Sequence, residues 1–269
     1  MSLLPRAAAA FVLAVSAVAR ADDEPDPRCT GTHSLASPLP DACLGYIDTD
    51  RPHQTDTPHV VPAGHFQFES ALGSVQLGGL VDAPTGDRTA HVVLFDDNYK
   101  AGLVTGVDVQ LLFAHAAFDP AEGGLLPPGP LAIRAKFNIV HERGWVPDIT
   151  LVPWVFLPVA PSETFRAGPY VFWGWDLPAN LELEMNAGVL FGVSPKSPAA
   201  LVLASALTYA IVDHFSVFID IYTTWPDTAL GTGILWAFTR DMQLDAGTYI
   251  GLHGDLPRAT LFLGFSFRR

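Results

Sequence analysis

From His65 to Arg269 the chain repeats one theme. Strand-length stretches alternate apolar with polar or small side chains, and turns holding Gly, Pro, Asn or Asp separate them. In 181–192 one face reads Leu181, Leu183, Met185, Ala187, Val189, Phe191, and the other Glu182, Glu184, Asn186, Gly188, Leu190, Gly192. In 215–224 Phe215, Val217, Ile219 and Ile221 oppose Ser216, Asp220, Tyr222 and Thr224. The polar face of 131–140 carries Arg134, Lys136 and Asn138; that of 242–251 carries Gln243, Asp245, Gly247 and Tyr249. Successive side chains of a strand point to opposite sides of its sheet, so each stretch predicts a strand with one greasy face. Twelve strands are expected, at about 65–77, 89–102, 107–118, 130–141, 146–157, 167–177, 181–192, 199–211, 215–224, 228–239, 242–251 and 258–267. The stretch 146–157 alternates least, and Pro147 and Pro153 are poor ladder residues. Counts of ten or fourteen would also keep the even number of single-chain bacterial barrels.

Such alternation suits a soluble sandwich as well as a membrane barrel. Composition narrows the choice. Of 269 residues, 49% are hydrophobic and 16% charged, against about 25% charged in an ordinary soluble domain. Yet beyond the N-terminus no run approaches the ~20 apolar residues of a spanning helix. A helical membrane protein and a disordered chain are both excluded. With 15 Lys+Arg against 28 Asp+Glu, no nucleic-acid partner is expected. Long strands joined by tight turns, as at Val212-Asp213-His214 and Arg240-Asp241, favour the membrane barrel. Trp145, Trp154, Trp173, Trp175, Trp225 and Trp236 fall near strand ends, which suits interfacial girdles. The last stretch, Ala259–Phe267, is amphipathic with a near-terminal Phe, as substrates of the barrel-assembly machinery are, although Arg268 and Arg269 follow it. The expectation is an all-β fold, an antiparallel transmembrane β-barrel in the bacterial outer membrane, with outer-membrane lipid and the assembly machinery as partners.

The N-terminus agrees with export. Residues 1–21 read as a signal peptide: Arg6, an apolar stretch Ala7–Ala19, and the small-x-small site Ala19-Arg20-Ala21. Cleavage would remove two arginines and no acid, taking the formal charge from −13 to −15. Residues 22–64, rich in Pro, Asp, Thr and His, read as an irregular segment before the barrel of 65–269. Cys29 and Cys43 are the chain's two cysteines. In an exported protein so close a pair predicts a disulfide, stabilising by about 3 kcal/mol through chain entropy; a metal or redox pair would more naturally show C-x-x-C.

The most distinctive stretch runs from Ile47 to Glu69. Thr49, Asp50, Arg51 and Pro52 are followed by a polar run, then by Val61, Pro62, Gly64, His65, Gln67 and Glu69. This order, T-D-R-P and then V-P-x-G-H-x-Q-x-E, resembles the opening of a family of outer-membrane transporters associated with the meta-pathway of phenol degradation. The resemblance covers about 45–269 and is sharpest in that opening. It implies a β-barrel that takes up small organic, often aromatic, solutes, and it implies no enzyme.

The residues also support a physical reading. Pro52, Pro58 and Pro62 hold the chain extended, and Gly64 allows a sharp entry into the first strand. Asp48, Asp50 and Arg51 are expected to form a salt-bridged clamp tucking 22–64 into the barrel mouth as a plug. Gln67, Glu69, Asp108, Arg134, Lys136, Asp176, Glu182, Glu184, Asp220 and Asp245 fall on inward faces. Opposite charges there either pair between neighbouring strands or set Arg134 and Lys136 against an acidic wall, giving a transverse field; the net acidity disfavours anionic solutes. The run Asp48, Asp50, His53, Asp56, His59, His65 lacks a recognised metal-ligand spacing. No G-x-S-x-G is present, and His115 and His141, near Asp119 and Glu142, bring no nucleophile by sequence. No cofactor, metal or catalytic site is expected. The function expected is a channel or transporter for small, hydrophobic or aromatic solutes, with a structural or partner-binding barrel as the alternative.

Overall fold

The computed structural model describes residues 26, 28–80, 91–119, 124–126, 129, 131–159, 164–193 and 198–269; the expected signal peptide lies outside them. Thirteen strands follow a single 3-10 turn at Asp41–Cys43: β1 (Phe66–Leu80), β2 (His91–Val104), β3 (Val107–Asp119), β4 (Gly124–Leu126), β5 (Leu131–Val140), β6 (Asp148–Leu157), β7 (Arg166–Leu177), β8 (Leu181–Phe191), β9 (Ala199–Val212), β10 (Phe215–Thr224), β11 (Asp227–Thr239), β12 (Met242–His253) and β13 (Pro257–Arg268). Every pairing is between antiparallel neighbours, and β1 pairs with both β2 and β13, so the sheet closes on itself. β4 and β5 pair with successive parts of β3 and form one stave. The result is a closed barrel of twelve staves.

Burial follows the alternation. In β10, Val217, Ile219 and Ile221 face outward, while Phe218 and Asp220 are buried inside. The outer wall is apolar around the ring, with Leu111, Ile133, Leu203, Ile234 and Leu263 all exposed. Between polar neighbours on the inner face sit two small aromatic clusters: Tyr170 and Phe172 with Val152, and Phe218 with Tyr249 and Phe262. One end of the barrel carries most of the tight turns, such as Thr105-Gly106 and Asp213-His214, and the C-terminal residue, while Trp225-Pro226 turns at the other. Short turns mark the periplasmic end of such barrels.

Two expectations change. The strand expected at 146–157 begins at Asp148, because Arg143 and Val146 bridge each other in a turn. Pro153 is nevertheless a β6 residue, paired with Pro169 of β7. Each proline presents its missing donor to the other neighbour. There the bridges skip positions, from Arg134↔Trp154 to Phe137↔Leu151 and from Ala167↔Phe191 to Tyr170↔Gly188. Second, the tryptophans do not all lie at the rim. Trp145, Trp225 and Trp236 are exposed, but Trp154 turns inward under the Arg134 guanidinium, 4.4 Å from its ring centroid.

Candidate functional site: an ion-paired segment inside the bore

Residues 28–47 lie against the periplasmic rim. The Cys29–Cys43 disulfide closes this stretch, with Cα atoms 5.4 Å apart. The Leu35 amide donates to Leu103 O at 3.0 Å and the Ile47 amide to Arg240 O at 2.7 Å. Arg268 donates to Gly45 O at 2.7 Å. From Asp48 the chain turns into the bore and emerges at Gly64. Gly64 holds φ +83°, and a Cβ there would meet Pro38 Cβ at 2.5 Å, so the crossing needs glycine in both conformation and space. His65 Nε2 lies 2.8 Å from Leu39 O. The three prolines deny this segment a ladder of its own, so its backbone groups turn to side chains on the wall.

Those partners come from around the ring. Gln67 of β1 donates to Asp48 O at 2.6 Å, and the Asp50 amide to Glu69 at 3.2 Å. The Val61 amide donates to Asp108 of β3 at 2.9 Å. Lys136 of β5 donates to Thr57 O at 2.6 Å, and Thr150 of β6 to Pro58 O at 2.5 Å. The Asp56 amide and carbonyl engage the Asn186 side chain of β8 at 2.6 and 2.8 Å. The Gln54 amide reaches Asp220 of β10 at 2.9 Å, and Tyr249 of β12 donates to Pro52 O at 2.9 Å.

Charge sits at the centre of this arrangement. The Asp50 carboxylate receives Lys136 at 2.5 Å, Lys100 at 2.6 Å and Arg134 at 2.8 Å. Lys100 also bonds Glu69. Arg134 holds Asp56 through two nitrogens at 2.8 and 3.0 Å and donates to Gln110 at 2.7 Å. Glu69 and Lys136 have no exposed surface, and Asp50 is 5% exposed. Burial works against charge on Asp50, but Lys100, Lys136 and Arg134 hold its carboxyl well below the usual carboxylate range. Burial likewise opposes protonation of His59. Asp48, at 2.5 Å, and Asp148, at 3.4 Å, nevertheless push its imidazole up to about 12.

The expected clamp is therefore built differently. Asp50 and Arg51 bond to the wall, not to each other: Arg51 reaches Asp245 at 3.3 Å. Arg134 and Lys136 meet carboxylates of the segment rather than an acidic wall opposite, so the field expected across an open pore is neutralised within the segment. Glu184 faces His53 at 3.2 Å. Asp176 and Glu182 lie instead toward the periplasmic end, paired in register at the β7–β8 turn. His115 and His141 find Asp97 at 2.9 Å and Asp148 at 3.7 Å. Lys100, Thr150, Asn186 and Gln243 join the network without having been singled out as site residues. Lys100 shares its face with Asn98, but Phe95, at φ 54°, and the adjacent Asp96-Asp97 break the alternation that would have shown it. Among the described residues no three His, Cys, Asp or Glu gather as a metal site.

Of the cavities beside the segment, two share His53 on their walls. The periplasmic one, about 520 Å³, is acidic, with Asp48, Asp176, Glu182 and Glu184 on its wall. The other, about 340 Å³, lies toward the outer end and is lined by Arg134, Trp154, Phe156, Arg166, Tyr170 and Tyr222.

In fold the chain is similar to an outer membrane channel from Pseudomonas putida F1, with TM-score 0.54 and 10% identity over 81% of this chain and 99% of that one. It is also similar to the NanC porin, with TM-score 0.50 and 12% identity over 75% of this chain and 98% of that one. At such identities the likeness is one of fold. A comparison with curated proteins finds no match. A closed twelve-stave barrel with an apolar outer wall is the form of a bacterial outer-membrane protein. The family described as "Putative MetA-pathway of phenol degradation" matches residues 49–268, from the Thr-Asp-Arg-Pro motif to the last strand, and the chain belongs to it.

Proposed function

We propose that the protein is an outer-membrane channel for small, hydrophobic or aromatic solutes, and that residues 48–61 are its plug. The observation that carries this reading is the way the segment is held: a few ion pairs centred on Asp50, between two cavities, in a bore wide enough to need filling. A permanent core would more economically be apolar, since buried ion pairs add little net stability over well-packed hydrophobic residues. Contacts made by charge and by backbone hydrogen bonds can be exchanged for water when the segment moves. Aromatic and aliphatic side chains at the outer cavity favour an apolar solute body.

The same dense bonding would serve a barrel that anchors a partner and passes nothing. Flux separates the two readings. In proteoliposomes the Asp50→Ala barrel should admit small neutral solutes faster than the native barrel. Absence of flux through both would support the structural barrel.

A further inference from the structure

The outer cavity is more specific than a greasy passage. We propose that it binds a small aromatic anion, a planar ring bearing a carboxylate, with Arg166 as the anion's partner. This deepens the channel reading by naming a solute class and site.

The two guanidiniums lining this chamber differ. Arg134 is satisfied by Asp50, Asp56 and Gln110. Arg166 has no carboxylate partner among the described residues. It lies over Phe156, with its guanidinium carbon 4.7 Å from the ring centroid. Asp56, the one acid among the described residues on this chamber's wall, is committed to Arg134. Among the described residues the chamber thus offers a cation without a carboxylate partner, and it lacks a free anion. Its complement is an acceptor with negative charge, and guanidinium is the side chain best matched to a carboxylate.

The walls specify the body that carries the charge. Trp154 and Phe156 stack with centroids 5.0 Å apart and planes 17° apart. Tyr170 tilts against Trp154 at 5.2 Å. Flat, offset aromatic surfaces accept another ring readily. The cavity volume of about 340 Å³ exceeds the ~150 Å³ that holds benzene in an apolar protein cavity. Asp48, Asp176, Glu182 and Glu184 line the cavity on the other side of the segment.

Calorimetric titration of the purified full-length barrel, in neutral detergent at low salt, tests this with benzoate, benzyl alcohol and cyclohexanecarboxylate. Benzoate should bind one per barrel and about tenfold more tightly than either analogue. Arg166→Gln should weaken benzoate about tenfold and leave benzyl alcohol unchanged. Phe156→Leu, which keeps the charge and removes the stacking ring, should weaken benzoate less; circular dichroism confirms that each variant is folded. Benzoate binding that is absent, unaffected by Arg166→Gln, or no tighter than cyclohexanecarboxylate overturns the proposal. Binding without flux would overturn the channel and keep the chamber. Flux without benzoate binding would do the reverse.

Discussion

At the scale of single residues, Asp50 carries the most. Three cations converge on its carboxylate, and deleting one side of a buried ion cluster costs about 3–5 kcal/mol because the rest are left uncompensated. Asp50→Ala should lower the thermal midpoint measurably, whereas Asp26→Ala, whose partner Arg28 is exposed, should not. Acid should act in the same direction. A folded-state pKa held below the ordinary 3.8 gives stability that is fully present above that value and is lost progressively as pH falls from there toward the lower folded-state pKa. His59 has the opposite sign: its contribution is complete below 6.5 and fades only as pH climbs toward about 12. Protease cleavage within 48–61 should therefore stay low from neutral to mildly alkaline pH and rise as pH drops below about 4; cleavage independent of pH would contradict this. Alternation alone made Gln67, Glu69, Arg134 and Lys136 legible as inward-facing. Their partners were not legible, because nothing in a period-two pattern says that Asp50 lies against Lys136, 86 positions away.

At the scale of elements, the strands were legible because a closed sheet between lipid and bore obeys one rule along its length, apolar out and polar or small in. The reading fails where another constraint outranks that rule. Pro153 and Pro169 sit inside strands because they face each other and leave the gaps on their far sides. Trp154 turns inward to cover Arg134 instead of joining a girdle. Inward aromatics such as Phe172 and Phe218 were not anticipated either, since a bore filled by protein tolerates apolar packing that a wet channel would not. The crossing from segment to β1 depends on Gly64. A side chain there must accept φ +83° and displace Pro38, costing about 1–2 kcal/mol for the backbone alone. Gly64→Val should lower the urea midpoint by more than Gly64→Ala, and equal midpoints for all three forms would refute the close approach.

At the scale of the whole molecule, the chain separates its chemistry by surface. Among the described residues, exposed hydrophobic side chains spread over the outer wall of twelve staves, and the buried charges gather inside around the N-terminal segment. That segment is held by polar contacts spread over many staves and by the disulfide-closed stretch at the rim. Single-channel recording of the barrel lacking residues 22–60, with 1–21 retained for export, tests this account most directly. The full-length barrel should conduct weakly and the shortened one through a steady, several-fold larger pore. Equal conductance in the two, or none in either, would contradict the plug.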